Sequence, residues 1–144
     1  MTQTLAQVIG QAAKNDMTYI YDAPVHYVVF TRKDNTWNPD RIKKYMEILD
    51  KIEASKGPGC MVTIGTGNKH FSTGFDLKYW AESADNMRES IGAFNEVMAR
   101  LLEFPMPTMC IFNGTAWAGG LIWGLCHDTR IMNANVGNVC LSEL

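Results

Sequence analysis

Apolar positions in this chain of 144 residues recur with a helical period in two long stretches. One stretch begins at Asn38 and ends before Gly57, and the other covers residues 85–104. Asn38, Pro39 and Asp40 supply a side-chain cap, a proline at the first helical position and an acid in the first turn. The pattern therefore predicts two amphipathic helices.

Short runs of β-branched and aromatic residues predict strands at 18–21, 25–31, 60–64, 108–112, 129–132 and 139–141. A turn at Asp22, Ala23 and Pro24 joins the first two as a hairpin. A small-residue apolar run predicts a buried helix at 118–126, and a weaker helical spacing covers residues 4–14. Strands that alternate with helices favour an α/β architecture.

Composition narrows the class of protein. Hydrophobic residues make up 47% of the chain, which suits one domain or part of one. A net charge of -2 without a basic cluster favours neither nucleic acid nor an anionic membrane surface as a partner. No apolar run approaches the roughly 18 residues that a membrane span needs. Four cysteines without a paired spacing indicate a reduced, intracellular protein, and no targeting signal is legible.

Two glycine-bearing segments, residues 71–77 and 113–120, each follow a strand-like run and each open a predicted helix. Backbone N–H groups are free at such junctions, and two that converge would stabilise an oxyanion. The chain has no phosphate-binding glycine loop and no GxSxG nucleophile elbow. The segments therefore indicate carbonyl chemistry, with an ordinary capped loop as the alternative.

The sequence FSTGFDL at 71–77 resembles the FSxGxDL segment of the crotonase, or enoyl-CoA hydratase/isomerase, superfamily. Residues 107–120 resemble its second segment, P-T-x-x-x-x-N-G-x-A-x-x-G-G, and the resemblance runs from about Tyr27 to Leu144. It implies a spiral of ββα turns that binds an acyl-CoA thioester, with no further cofactor and no metal. The enolate would be held by the backbone N–H groups of Phe75 and Gly119. The substrate contacts it implies are Ser72, Gly74, Phe75, Asp76, Leu77, Lys78, Gly119 and Ile122.

The acids decide which branch the chain resembles. Hydratases of this superfamily use two glutamates, and Ile122 stands at the first position while Glu143 matches the second. One carboxylate suits a Δ3,Δ2-enoyl-CoA isomerase, in which Glu143 removes a proton from C2 and returns it to C4. For that role Glu143 needs an apolar pocket that raises its pKa, with candidate walls Leu141, Leu144, Ile122 and Trp123. The resemblance also implies a mitochondrial or peroxisomal location.

Several alternatives remain open. Glu143, second from the end, is a solvated acid in the simplest interpretation, and a hydratase would need an acid to replace Ile122. Dehalogenases and decarboxylases of the superfamily share the oxyanion architecture. The chain, taken as one crotonase-like domain over 1–144, stops where similar proteins continue into C-terminal helices. A homo-oligomer or a second chain is therefore expected to complete the fold, and a catalytically idle structural subunit is the second hypothesis.

Two further expectations concern residues that invite a catalytic or surface role. His127 beside Asp128 is expected to be structural, because neighbours in sequence do not face each other across a helix. Trp117 and Trp123 are expected on the buried helix, in the core or lining an acyl pocket.

Overall fold

Helices and strands alternate in the computed structural model, which describes residues 3–14, 16–67 and 69–142. The helices are α1 (Leu5–Gly10), α2 (Pro39–Glu53), α3 (Leu77–Glu82), α4 (Ala84–Leu102) and α5 (Gly119–Leu125). The strands are β1 (Met17–Asp22), β2 (Val25–Phe30), β3 (Cys60–Gly65), β4 (His70–Ser72), β5 (Thr108–Phe112), β6 (Thr115–Trp117), β7 (Thr129–Met132) and β8 (Val139–Cys140).

Five strands form the main sheet in the order β1-β2-β3-β5-β7. The hairpin of β1 and β2 is antiparallel, whereas β2, β3, β5 and β7 are parallel to their neighbours. The inner strands are continuous apolar runs because both faces of this sheet are covered. The predicted hairpin and the predicted core strands β3 and β5 are confirmed.

A second, smaller sheet of three parallel strands has the order β4-β6-β8. Each main-sheet strand from β3 onward is followed by one strand of this sheet, and helices follow β4 and β6. The chain thus advances through repeated ββα turns, with one strand added to each sheet per turn. This is the spiral that the resemblance implied.

Aromatic side chains fill the space between the main sheet and helices α2, α4 and α5. The rings of Trp37 and Trp123 stack with centroids 3.7 Å apart, and Tyr45 meets Trp123 edge-on at 4.5 Å. Arg100 of α4 forms ion pairs with two acids of α2, Asp50 at 2.7 Å and Glu53 at 3.0 Å. Helices α2 and α4 are therefore joined both by packing and by charge.

The predicted cap of α2 is confirmed, and a serine that was not predicted as a cap begins α4. The side chain of Asn38 accepts from the Arg41 N–H at the start of α2, and that of Ser83 accepts from the Asn86 N–H at the start of α4. The expected first helix over 4–14 is shorter, Leu5–Gly10, because the capping box of Thr4 and Gln7 starts it but little apolar surface extends it.

The expected position of Trp117 is wrong. It lies in β6 and not on the buried helix, and 44% of its surface is exposed. Trp123 is fully buried on α5, as expected.

Candidate active site

The first glycine-bearing segment turns sharply between β4 and α3. Gly74 has φ +91°, a left-handed conformation that side chains rarely adopt, and Asp76 caps α3 by accepting from the N–H groups of Lys78 and Tyr79. The carbonyl of Gly74 accepts from the Trp37 N–H at 2.9 Å. Because a trans peptide aims its C=O and N–H in opposite directions, the N–H of Phe75 points away from Trp37.

The second segment starts α5 with an unusual backbone. Ala118 has φ +48°, and its carbonyl accepts from the N–H groups of Leu121 and Ile122. The Ala118 carbonyl therefore points into the helix, and the N–H of Gly119 points out of its N-terminus. A positive φ at a residue other than glycine stores strain and is concentrated at functional sites.

The two segments are in contact. A Cβ on Gly74 would lie 3.1 Å from the Gly119 nitrogen and 3.2 Å from the Ala118 Cβ, and a Cβ on Gly119 would lie 3.3 Å from the Phe75 ring. Across residues 3–14, 16–67 and 69–142, neither the Phe75 nor the Gly119 N–H donates a hydrogen bond. Two free donors thus stand on adjoining backbone segments, an arrangement that suits an oxyanion.

These donor segments border an apolar cavity of about 440 Å³. Its lining comes from the loop, from helices α3 and α4, and from the end of the described chain: Thr73, Phe75, Leu77, Trp80, Ile91, Trp117, Ala118 and Ser142. A polar groove of about 430 Å³ adjoins it, sharing Thr73, Phe75 and Leu77 and adding Asp34, Thr36, Asp76 and Lys78. The cavity is therefore apolar and the groove is charged, which suits a ligand with one apolar end and one polar end.

Comparison with known proteins shows the family of this chain. The family model described as "Enoyl-CoA hydratase/isomerase" matches residues 21–143 of the chain. The chain belongs to the enoyl-CoA hydratase/isomerase family. Its ββα spiral is the crotonase fold, and the sequence resemblance carried by residues 71–77 and 107–120 is confirmed at the level of family and fold.

Relatives within the enoyl-CoA hydratase/isomerase family include two plant isomerases. The chain is 36% identical over 117 residues to Enoyl-CoA delta isomerase 3 of Arabidopsis thaliana, a match that covers 77% of this chain and 48% of that protein. It is 32% identical over 118 residues to Enoyl-CoA delta isomerase 2, peroxisomal, of the same plant, covering 77% and 49%. The chain spans about half the length of these relatives.

Solved structures of the family share the fold. An enoyl-CoA hydratase from Bacillus anthracis superposes with a TM-score of 0.79 at 22% identity, covering 87% of this chain and 50% of that one. A second, from Geobacillus kaustophilus, gives a TM-score of 0.81 at 18% identity, covering 89% and 49%.

The predicted site residues of this family member lie in several parts of the structure. Phe75 and Leu77 line the cavity, and Asp76 and Lys78 line the adjoining groove. Gly74 and Gly119 form the contact between the two donor segments. Ser72 is fully buried beneath the loop, and Ile122 is half-buried against the core. Glu143 and Leu144 lie outside the described residues, although Ser142 lines the cavity.

Five lining residues were not predicted as site or pocket residues: Thr73, Trp80, Ile91, Ala118 and Ser142. Ile91 belongs to the apolar stripe of α4, where the same spacing predicts a core contact. Trp80 lies four positions after the cap Asp76, and its ring packs on that of Phe75 with centroids 4.5 Å apart. The sequence offered one signal for including Trp80 in the site. Its helical spacing from Asp76 places it on the same side of α3 as the loop.

Histidines stand apart from the cavity. His127 contacts the Thr63 hydroxyl through Nε2 at 3.0 Å and the Trp123 carbonyl through Nδ1 at 3.2 Å, while Asp128 accepts from the N–H and hydroxyl of Thr108. Burial lowers the pKa of His127 to about 4, so the ring is neutral at pH 7. The structural assignment of His127 is confirmed.

The other two histidines also have polar partners. His26 bonds to the Tyr19 hydroxyl at 2.9 Å and to the Ser55 hydroxyl at 3.2 Å, and His70 lies 3.8 Å from Asp34. Within the described ranges, no three metal-ligating side chains are grouped closely enough to hold an ion. No helix there is both long and apolar enough to cross a bilayer. All four cysteines fall in these ranges and carry free thiols.

Proposed function

We propose that this chain carries the thioester-binding site of an enoyl-CoA isomerase, which moves a double bond from position 3 to position 2 of an acyl-CoA. The observation that supports it best is the contact between Gly74 and Gly119, which sets two unpaired backbone donors side by side at an apolar cavity. Family membership supports a CoA thioester as the ligand. The proposal includes no other cofactor.

The proposed chemistry begins at the thioester oxygen. When a proton leaves C2, negative charge moves onto that oxygen, where the N–H groups of Phe75 and Gly119 would receive it. Each such donor is worth about 3 to 4 kcal/mol in a transition state, by comparison with donors removed from other enzymes. The apolar walls of Phe75, Leu77 and Trp80 strengthen this stabilisation because they exclude water.

Glu143 is the proposed base. Its carboxylate would take the C2 proton, and the electron pair of that C–H bond would form a C1–C2 double bond as the thioester oxygen takes the negative charge. The carboxylic acid so formed would return the proton to C4, where the C3–C4 π pair forms the new C–H bond. The C1–C2 pair would then move to C2–C3, and the thioester carbonyl would form again. Support comes from Ser142, the neighbour of Glu143 in the chain, which lines the cavity.

Isomerisation is proposed over hydration because Ile122 offers no second acid. The residue is half-buried among core side chains, and two Arabidopsis relatives carry "delta isomerase" in their names. A hydratase would need another carboxylate near α5 to activate water.

Turnover of 3-hexenoyl-CoA to 2-hexenoyl-CoA tests the proposal, followed by the absorbance of the conjugated thioester. The 144-residue chain is assayed alone and with its co-purifying proteins. Glu143→Gln should lower kcat by about 100-fold or more, because the amide cannot take the proton. Glu103→Gln, an exposed change at the C-cap of α4, is the matched control and should leave turnover unchanged. Equal turnover by Glu143→Gln and the unaltered chain would remove Glu143 from the mechanism.

A structural role is the second candidate, favoured by the exposed apolar residues of the last strands described, Ile131 and Val139. The chain would then serve as an idle member of a larger assembly, or need a second copy or second chain to complete its site. Tight acyl-CoA binding without turnover, in a large native particle, would support this candidate.

A mitochondrial or peroxisomal location remains part of the proposal. It is supported by the word "peroxisomal" in the names of two Arabidopsis relatives.

A further inference from the structure

Asn35 lies buried beneath the first donor loop and makes four hydrogen bonds. It is 1% exposed and has φ +44°. Its Oδ1 accepts from the Arg32 N–H at 3.1 Å and from Arg41 Nη2 at 3.2 Å, and its Nδ2 donates to the Phe71 carbonyl at 2.9 Å. Its own carbonyl accepts from the Ser72 hydroxyl at 2.8 Å. Asn35 therefore holds both residues that lead into the loop.

Ser72 carries this constraint to the donor peptide. Its Oγ donates to the Asn35 carbonyl and accepts from the Gly74 N–H at 3.3 Å. On the far side of the same residue, the Gly74 carbonyl accepts from the Trp37 N–H at 2.9 Å. Gly74 is thus held at both its N–H and its C=O, which fixes the plane of the peptide that bears the Phe75 N–H.

The helix that bears the second donor rests on the same serine. A Cβ on Gly120 would lie 2.4 Å from the Ser72 carbonyl oxygen and 2.7 Å from its Oγ, so the backbones of α5 and β4 are in direct contact there. A shift of Ser72 would therefore change the separation of the two donors, and Asn35 is what holds Ser72 in place.

Arg41 anchors the far end of this chain of contacts. It is 5% exposed, and its guanidinium lies 5.7 Å from the Phe30 ring centroid and 5.6 Å from that of Trp37. Its Nη2 bonds to Asn35, whereas Nε and Nη1 are buried without a partner in the described part of the chain. Hydrogen bonds from a charged donor are roughly twice as strong as neutral ones, so Arg41 restrains the Asn35 side chain firmly.

We propose that Asn35, fixed by Arg41, is a positioning residue that sets the spacing and direction of the two donors through Ser72. The inference rests on the proposed function, because it assigns a role to the thioester-binding donors. The inference adds that the site depends on the buried carboxamide of Asn35. This group binds the Phe71 carbonyl, which lies 36 positions later in the chain.

The test measures carbonyl polarisation directly, with no turnover needed. 2,4-Hexadienoyl-CoA is bound to the 144-residue chain, and the red shift of its absorption reports how strongly the donors polarise the thioester. Asn35→Gly permits the positive φ but removes the carboxamide, and Asn35→Asp keeps the Oδ1 acceptor but cannot donate to Phe71. Both should lose at least half of the red shift and lower kcat by about 10-fold or more, with KM within about 3-fold. Ser72→Ala should give the same pattern.

Thr108→Val is the matched control for stability. Thr108 bonds to Asp128 at the start of β5, whereas the Phe75 donor lies between β4 and α3 and the Gly119 donor lies at the start of α5. This variant should lower the melting temperature and leave the red shift intact. A full red shift in folded Asn35→Gly and Ser72→Ala would overturn the role of Asn35. A ligand that binds the unaltered chain without any red shift would instead overturn the proposed function itself.

Discussion

At the scale of single residues, the buried polar side chains form two groups with different structural roles. Asn35 and Ser72 hold the donor loop, whereas Tyr45, Thr63 and His127 form a network inside the core. Burial raises the pKa of the Tyr45 phenol and lowers that of the His127 imidazole, so both are neutral at pH 7. The second network contributes to stability, and its contribution depends on pH.

His127 is expected to make the folded chain sensitive to acid. Its pKa falls from 6.5 to about 4 on burial, so the unfolded chain binds a proton between these values and the folded chain does not. The free energy of unfolding should therefore fall by up to about 3 kcal/mol as the pH decreases from about 6.5 to 4, at about 1.4 kcal/mol per pKa unit. Urea denaturation at each pH measures it, and His127→Gln should flatten this part of the profile.

Thr63→Val is the control for the pH profile. It removes the hydroxyl that His127 contacts but keeps the imidazole. Its stability should be lower at every pH, with the same slope as the unaltered chain. A His127→Gln profile as steep as that of Thr63→Val would show that other groups cause the acid sensitivity.

Sequence motifs predicted part of the candidate site, and the other site residues could not be predicted from the sequence. Phe75 and Gly119 were predictable because each lies inside a short local pattern, and the structure brings their segments together. Asn35 was not, because its contacts with Phe71 and Ser72 bridge 36 and 37 positions and no local pattern marks them. Contacts made only in three dimensions have no signature in one sequence.

At the scale of elements, glycines set how closely α5 approaches the sheets. A Cβ on Gly120 would meet backbone at 2.4 Å, whereas a Cβ on Gly92, within α4, would have no neighbour within 4 Å. The same substitution is therefore expected to have opposite effects in the two helices.

Gly120→Ala should lower the free energy of unfolding by about 1 to 3 kcal/mol, because α5 must move away from β4. Gly92→Ala should raise it by about 0.5 to 1 kcal/mol, since alanine favours the helix and meets no obstacle. Thermal and urea denaturation measure both. Equal effects in the two variants would show that the contact between α5 and β4 is not close.

Element length decided which parts of the fold could be predicted. The apolar stripes of α2 and α4 and the runs of β2, β3 and β5 are long enough for their periods to be distinct. Strands β4 and β6 have three residues each, which is too short for any period to show. Trp117 was assigned to a helix for this reason. Its strand, β6, is defined by pairing with β4 and β8, which are distant in sequence, and no local repeat marks it.

At the scale of the whole molecule, the two sheets end on the same side with exposed strands. β7 is the last strand of one sheet and β8 of the other, and Ile131 and Val139 on them are 49% and 51% exposed. Parallel strands are ordinarily covered on both faces, and unpaired apolar edges promote association.

The 144-residue chain is accordingly expected to self-associate when purified alone. Ile131→Lys together with Val139→Lys should increase the monomer fraction in sedimentation velocity, because charge on an edge strand opposes pairing. Leu102→Lys together with Met87→Lys places the same charge on exposed apolar residues of α4 and should have no such effect. A chain that is monomeric at about 100 μM before any substitution would contradict the expectation.

The stacked indoles of Trp37 and Trp123 offer an optical probe of the site. Trp37 is bonded through its backbone to the Gly74 and Asp76 backbones, while Trp123 lies on the helix that begins at Gly119. Indoles 3.7 Å apart couple their electronic transitions. The resulting circular-dichroism couplet fades when the rings separate, so it reports from within the protein whether the two halves of the proposed oxyanion pocket are assembled.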